Sequence, residues 1–307
     1  MRGIAYDSFG DASVLRLRDD LPEPPVGPDV VLVRVHAAGV NPVDIGIREG
    51  HLAGLFPHHF PIVPGWDVSG TVERVGPAVV DFAPGDEVFG YVRRDDVQHG
   101  TTAELVAAPQ RCLARKPESL NFSEAAALPL AGLTAYQALT EALDVGEGDR
   151  VLVHRAAGGV GFFAVQIAAA LGAHVIGTAS PRNHGFLTNA GAAEVLDYNA
   201  GPISEQLTHK VDAVLDLVGG AALGDAPDQV EDTSRIASIV DPVVRDLGGR
   251  YVFVRPEWHD LEELGRMSDA GQLRVAIAKA FPLEQTAAAQ SQVAAGHVRG
   301  KVVVTLV

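Results

Sequence analysis

A glycine-rich turn between an apolar strand and a helix is the segment of this sequence with the clearest chemical use. The strand Arg150–His154 leads into the turn 155–161, which reads RAAGGVG, and a helical pattern continues to Leu171. In this arrangement the backbone N–H groups that open the helix bind a pyrophosphate, and small residues let it approach. The pattern predicts a dinucleotide site with contacts at Ala157, Gly158, Gly159, Val160 and Gly161. Because Ala156 replaces the first glycine of the usual motif, a plain strand-to-helix turn is the alternative.

The next strand, 173–177, bears on which nicotinamide cofactor is bound. An acidic residue at its end would hold the ribose 2′-hydroxyl of NAD, and the sequence has none there. The segment after the strand instead offers the hydroxyl of Thr178 and the guanidinium of Arg182, which suit a 2′-phosphate. We therefore predict NADPH as the cofactor, with a solvated surface charge as the alternative role for Arg182.

Composition excludes several classes of protein. The one cysteine, Cys112, rules out an intramolecular disulfide and any site with several cysteine ligands. A net charge of −15 repels phosphate backbones and anionic membranes, so nucleic acid and membranes are not expected partners. The sequence has no run of eighteen apolar residues and no signal-like N-terminus, and we predict a cytoplasmic protein. His51, His58 and His59 match no standard metal-site spacing, so no metal is predicted.

Two regions of the chain, with different patterns of strands and helices, are expected to position these residues. Up to about residue 120, short strands alternate with Gly and Pro, which predicts a β-rich, barrel-like module. From Ser123, which is expected to cap a helix reaching about Leu143, strands and helices alternate in βαβ order. The strand Val211–Val218 belongs to this series, as do strands at 236–240 and 250–254. The tail from Asp260 reads helix, strand, helix, strand, and we expect it to fold back onto the first module.

Several segments together resemble the zinc-independent quinone oxidoreductase branch of the medium-chain dehydrogenase/reductase superfamily, and the resemblance covers nearly the whole chain. Besides the turn, they are Ala38–Asp44, Pro64–Gly70, Gly132–Tyr136 and 296–303. The resemblance implies an α/β fold in which a GroES-like β-rich catalytic domain, 1–120 completed by 256–307, accompanies a Rossmann domain, 121–255, with a doubly wound parallel sheet. It also implies an active site in the cleft and a homodimer formed through 250–254.

The resemblance also explains the lack of metal ligands. Zinc-using members place a cysteine where Asn41 stands and a His-Glu pair where Trp66 and Asp67 stand, and they carry a four-cysteine lobe. All of these ligands are missing here.

Site residues follow from the resemblance one position at a time. Asn41 is expected to hydrogen-bond the nicotinamide ribose or the substrate, and Asp44 is the companion acid, with a helix N-cap as its alternative role. Thr134 provides a hydroxyl close to the nicotinamide. The remaining predicted cofactor contacts are Thr178, Ser180, Arg182, Tyr198, Val218, His297 and Lys301, of which Ser180, Arg182 and Tyr198 are assigned to the 2′-phosphate.

One departure concerns the proton donor. Many quinone oxidoreductases have a tyrosine two positions after the acid, where this chain has Gly46. The predicted function is hydride transfer from NADPH to a quinone or an α,β-unsaturated carbonyl compound, with orientation supplied by the protein. An enoyl reductase acting on a tethered or biosynthetic intermediate and a non-catalytic NADPH-binding sensor remain alternatives. Alcohol oxidation is not expected, since no base or metal is in place to ionise a hydroxyl.

Overall fold

The computed structural model describes residues 1–296 and 298–306, and the chain divides into two compact units. The first unit consists of Met1–Leu130, Pro256–Asp269 and Val275–Val307, and the second of Ala131–Arg255 and Ala270–Arg274. The strands are β1 (Gly3–Ala5), β2 (Arg16–Arg18), β3 (Val30–Val40), β4 (His58–Val63), β5 (Asp67–Val75), β6 (Glu87–Tyr91), β7 (Val97–His99), β8 (Leu105–Pro109), β9 (Leu113–Arg115), β10 (Arg150–Val153), β11 (His174–Thr178), β12 (Glu194–Leu196), β13 (Ala213–Asp216), β14 (Ile236–Ser238), β15 (Arg250–Tyr251), β16 (Ile277–Pro282) and β17 (Lys301–Thr305). The helices are α1 (Pro42–Arg48), α2 (Phe122–Ala127), α3 (Pro129–Gln137), α4 (Gly159–Ala170), α5 (His184–Thr188), α6 (Ile203–Gln206), α7 (Gly220–Gly224), α8 (Ala226–Gln229), α9 (Trp258–Asp269) and α10 (Thr286–Ala294). None of the helices in the described part of the chain is long and apolar enough to span a membrane.

The first unit is built on a mainly antiparallel sheet with the strand order β16-β17-β3-β5-β6-β9, and β8 also pairs with β3. Strand β3 is rich in β-branched residues, and Val31, Val33 and Val35 alternate into a buried cluster, as expected for a strand with one face on a core. The C-terminal strand β17 pairs antiparallel with β3, so that Val302 lies opposite Val40. The end of the chain therefore lies beside the start of α1.

The second unit contains a parallel sheet with the order β12-β11-β10-β13-β14-β15. Its central strands, 151–153 and 213–215, are buried apolar runs, because helices cover both faces of such a sheet. Strand order reverses between β10 and β13. In doubly wound sheets, ligands bind beyond the carboxyl ends of the strands at this reversal point.

The division between the units falls after Leu130, whereas the boundary predicted from the sequence lies after residue 120. The difference is α2, which packs on the sheet of the first unit. Ser69 Oγ donates a hydrogen bond to the Phe122 carbonyl, and the His36 ring stacks on Phe122 at 4.0 Å between centroids. Residues 270–274 belong to the second unit, where Arg274 N donates to Gln166 Oε1 at 2.8 Å.

The helix predicted from Ser123 to about Leu143 is divided in the structure. Asn121 is its N-cap, because Asn121 Oδ1 accepts from Glu124 N and Glu124 Oε2 accepts from Asn121 N, each at 3.0 Å. This reciprocal pair is a capping box, and the prediction of Ser123 as the cap was wrong by two residues. Pro129 lacks the N–H that would continue α2, so a new helix starts there and gives way to a wider turn over Ala138–Ala142.

Candidate active site

The turn after β10 is held closed by the neighbouring strand. Arg155 adopts a left-handed conformation, φ 49°, and its N–H donates to Thr178 Oγ1 at 3.1 Å. Ala156 N donates to the carbonyl of Thr178 at 3.0 Å. The Thr178 side chain is buried. Thr178 is one of the predicted cofactor contacts. Its hydroxyl lies behind the turn, where it accepts a hydrogen bond from the backbone.

The start of α4 has the properties of an anion site. Its N-cap, Gly158, is extended and has no side chain that could accept from the first amides of the helix, and Gly158, Gly159 and Val160 are only half-buried. The first amides of a helix have no intrahelical partner and carry a partial positive charge. Gly161 is buried, and a Cβ on it would lie 2.5 Å from the Arg155 carbonyl oxygen. A glycine is required there because the helix packs directly on the turn.

The other predicted cofactor residues of the second unit also follow strand ends. Ser180 and Arg182 come just after β11, Tyr198 follows β12, and Val218 follows β13, which ends at Asp216 rather than at Val218 as predicted. The sheet is parallel, so these positions share one edge with the turn after β10. Arg182 is exposed, as are Tyr198 and Val218 at 51% each. The structure therefore brings these predicted residues to the edge where a dinucleotide would lie.

A second group of predicted residues forms a buried polar cluster in the first unit. Asn41 Nδ2 donates to Asp67 Oδ2 at 2.8 Å, and the Lys301 ammonium donates to Asn41 Oδ1 and lies 3.8 Å from Asp67 Oδ2. Asp67 Oδ1 accepts from Leu130 N at 2.8 Å. We call Asn41, Asp44, Asp67 and Lys301 the buried cluster. Its members are all at most 5% exposed.

Asp44 is the member of the buried cluster with one carboxyl oxygen that has no hydrogen-bond partner among the described residues. Asn41 is the N-cap of α1 and Asp44 is its third residue, so Asp44 has the suggested capping role from the third position of the helix rather than as the N-cap itself. Its Oδ2 accepts from Asn41 N at 2.8 Å, which is one half of a capping box. Its Oδ1 is buried and has no hydrogen-bond partner among the described residues. The pKa of Asp44 is raised to about 7: burial is the largest cause, the hydrogen bond from the Asn41 N–H opposes it, the Asp67 carboxylate adds to the rise, and Lys301 opposes it.

The ion pair between Asp67 and Lys301 offsets part of the free-energy cost of burying each of these charges. Burial raises the pKa of Asp67 and the Lys301 ammonium lowers it, while burial lowers the pKa of Lys301 and the two carboxylates raise it. A buried charge is tolerated when it is paired in this way. Asp67 was not predicted as a site residue. The signal available was a carboxylate inside the otherwise uncharged segment Pro64–Gly70.

The remaining predicted residues are placed as follows. Thr134 lies in α3 and is buried in the second unit, and His297 lies outside the described residues. The predicted ligand contacts of Thr134, Lys301 and the strand-end residues remain predictions. Groups of three His, Cys, Asp or Glu that could hold a metal ion are absent from residues 1–296 and 298–306.

Two further polar or reactive side chains, Cys112 and His154, have structural roles in the core. Cys112 is fully buried, and burial raises the pKa of its thiol to about 11, so it is an apolar filler rather than a nucleophile. His154 lies in the core with its Nε2 3.0 Å from Gln229 Oε1, and burial lowers its pKa.

Comparison with known proteins finds a matching family for a segment in each half of the chain. Residues 27–118 match the alcohol dehydrogenase GroES-like domain, and 190–304 match the family described as zinc-binding dehydrogenase. The chain is 32% identical to a mitochondrial NAD(P)H oxidoreductase of Danio rerio, covering 100% of this chain and 91% of the relative. It is 33% identical to a chloroplastic NADPH-dependent alkenal/one oxidoreductase of Arabidopsis thaliana, covering 99% and 79%. The quinone oxidoreductase of Coxiella burnetii superposes with a TM-score of 0.92 at 35% identity, covering 100% and 99%. The predicted fold class is confirmed.

Proposed function

The chain belongs to the zinc-independent quinone oxidoreductase branch of the medium-chain dehydrogenase/reductase superfamily, and from this premise we propose that it transfers hydride from NADPH to a quinone or an α,β-unsaturated carbonyl compound. One observation carries the proposal: the uncapped start of α4 lies at the carboxyl end of β10, where the order of a parallel sheet reverses. An anion is the natural partner of such a helix start.

The residues present fit a dinucleotide. The half-buried backbone from Gly158 to Val160 would hold the pyrophosphate, and the missing side chain of Gly161 keeps the helix close to the turn. Ser180 and Arg182, just beyond β11, would hold a 2′-phosphate. When bound, NADPH supplies the hydride, which is chemistry that no side chain of this protein can provide.

The buried cluster fixes the orientation of the Asn41 carboxamide. Both its amide oxygen and one of its amide hydrogens are used within the cluster, by Lys301 and Asp67. The carboxamide is therefore fixed in one orientation, and its second N–H is the group it would offer to a carbonyl oxygen of the substrate. A donor held in place before negative charge develops stabilises the transition state without reorganisation.

The substrate class is proposed from two considerations. Two of the proteins named above act, by their names, on such compounds: the Arabidopsis thaliana relative on alkenals and alkenones, and the Coxiella burnetii protein on quinones. Hydride transfer to a conjugated system places the charge on a carbonyl oxygen, and hydrogen-bond donors meet that charge without a metal.

The proposal is tested by binding and turnover together. Calorimetry should show NADPH binding to the purified chain more tightly than NADH, and Arg182→Ala should reduce that preference by about tenfold, the equivalent of about 1.4 kcal/mol from a charge-assisted contact. Exposed Arg16, which lies in the other unit, gives the matched control Arg16→Ala. Spectroscopic assay of NADPH oxidation should then show turnover with members of a quinone and enone panel.

Each contrary outcome has a defined meaning. Absence of binding to either nucleotide would contradict the proposal entirely. Binding without oxidation by any acceptor would favour the sensor alternative, and activity restricted to carrier-bound enoyl thioesters would favour the enoyl reductase.

A further inference from the structure

A small chamber in the first unit is lined by Asp44 of the buried cluster and by half-buried residues nearer the surface. Its inner wall includes buried residues, among them Asp44, Ile47 and Trp66. Its outer wall is the segment from Arg94 to Gly100, in which Arg94, Asp96 and His99 are only half-buried. The space open to the centre of a water molecule is about 10 Å³, which is close to the volume that one water requires.

Asp44 gives this chamber its chemical character. One carboxyl oxygen, Oδ2, is occupied by the Asn41 N–H, while Oδ1 is buried with no hydrogen-bond partner in the described parts of the chain. An unpartnered polar atom at this depth is costly unless a water or a proton satisfies it. A proton bound to Asp44 would therefore reside on Oδ1, and a water in the chamber would be its partner.

His99 lines the chamber together with Asp44. It ends strand β7 and is half-buried. Burial lowers the pKa of its imidazole, Arg94 lowers it further, and Asp96 opposes them, so the neutral ring prevails at neutral pH. A neutral imidazole accepts a proton on one nitrogen and donates from the other, which is the property required of a relay.

We propose that His99 and one water in this chamber pass protons from solvent to the Asp44 carboxyl, which stores the proton used in the reduction. The inference rests on the proposed function. Hydride adds to the electrophilic carbon of the acceptor, and an electron pair moves onto the carbonyl oxygen. The resulting anion takes one proton from Asp44, leaving a carboxylate. Solvent protonates one ring nitrogen of the neutral His99 as the other nitrogen gives its proton to the water, and the water gives a proton to the carboxylate, so the ring and the water both end neutral.

Other charged groups set the proton affinity of the Asp44 carboxyl. Within the cluster, Asp67 favours the protonated form and Lys301 the ionised form. The Tyr6 hydroxyl is buried and unpartnered among the described residues; burial raises its pKa, and the Asp44 carboxylate raises it further. The other charged or titratable groups nearby are Arg48, on the same helix as Asp44, and Arg94, Asp96 and His99, which line the chamber with it.

The first experiment measures kcat against pH with saturating NADPH and an acceptor that the wild type reduces. Because the protonated carboxyl donates, kcat should fall as the pH rises through about 7. Asp44→Asn should lower kcat by about 10²-fold, the low end of what a positioned acid contributes, and should remove this limb. Asp67→Asn should move the limb to lower pH, since it removes a charge that favours the protonated form.

The second experiment isolates the relay. His99→Ala should lower kcat by about tenfold, within the range for a proton-transfer group, and added imidazole should restore it. His36→Ala is the matched control, because His36 is also half-buried in the first unit but does not line the chamber. It should keep its kcat and show no response to imidazole. An unchanged kcat in His99→Ala would overturn the relay.

A measurement without turnover separates this inference from the proposed function. In protein labelled with ¹³C at the aspartate side-chain carboxyl, one resonance should titrate near pH 7 and be absent from Asp44→Asn. If no acceptor is reduced but this titration is seen, the proposed function fails and the relay that serves it fails too, while the raised pKa of Asp44 stands. If acceptors are reduced and Asp44 titrates in the ordinary range of aspartate, the proton store is overturned.

Discussion

A single carboxyl group, Asp44, shows how burial changes the chemistry of a residue whose type is common. In the unfolded chain its pKa is the ordinary 3.8, and in the folded protein burial raises the pKa to about 7. Between these values the folded state retains a proton that the unfolded chain has released. The contribution of Asp44 to folding stability must therefore fall as the pH rises from about 4 to about 7, and it changes no further above that.

Asp44→Asn provides the test of this linkage at the residue scale. Asparagine is neutral at all pH values, so the variant should gain stability relative to the wild type by about 1.4 kcal/mol for each pH unit across that window. The measurement is the free energy of urea unfolding at several pH values from 4 to 8. Asp19, whose side chain is 88% exposed, gives the control Asp19→Asn, which should show no such trend. A stability difference that stays constant with pH would contradict the raised pKa.

At the scale of elements, the junction of β10 and α4 depends on close contact between a helix and a turn. A Cβ on Gly161 would lie 2.5 Å from the Arg155 carbonyl oxygen and 2.7 Å from Ala156 Cα. Both are backbone atoms, which cannot swing aside as a long side chain does. The start of the helix would have to move away from the turn, and the amides that face the anion would move with it.

Gly161→Ala should therefore lower the melting temperature and weaken NADPH binding by at least tenfold, as calorimetry and thermal unfolding would show. Gly185, in α5, gives the matched control, because a Cβ added there would meet no neighbouring group within 4 Å. Gly185→Ala should leave NADPH binding unchanged and raise stability by up to about 1 kcal/mol, since alanine is the better helix former. Equal effects of the two substitutions would show that the contact with the turn is unimportant.

At the scale of the whole molecule, the edge of the parallel sheet is the expected site of self-association. Strand β15 is the last strand in the order of that sheet, and the following segment exposes Phe253 at 44%. An exposed strand edge beside apolar side chains favours pairing with a second copy. This agrees with the homodimer implied by the family resemblance, which remains a prediction.

Sedimentation analysis should therefore find a dimer at micromolar concentration, and Phe253→Glu should shift the equilibrium toward monomer. Val80 is 84% exposed and lies in the first unit, so Val80→Glu is the control and should leave the dimer intact. A monomeric wild type would contradict the prediction.

Much of this protein follows from its sequence, where the signals are local. The turn at 155–161 and the alternation of strands and helices can be recognised from neighbouring residues, and the single cysteine from a count. Together they indicate the fold class and the edge of the parallel sheet where a dinucleotide would bind. Element ends were less accurate, as at Ser123 and Val218, because caps and strand pairing depend on contacts as well as on composition.

Only the tertiary structure decided how the distant residues combine. Pairing of β17 with β3 brings Lys301 to Asn41, and packing of the first unit places Asp67 beside both. The raised pKa of Asp44 and the chamber shared with His99 depend on the same packing. Desolvation and charge interactions act through space over a few ångströms, so the order of residues along the chain cannot specify them.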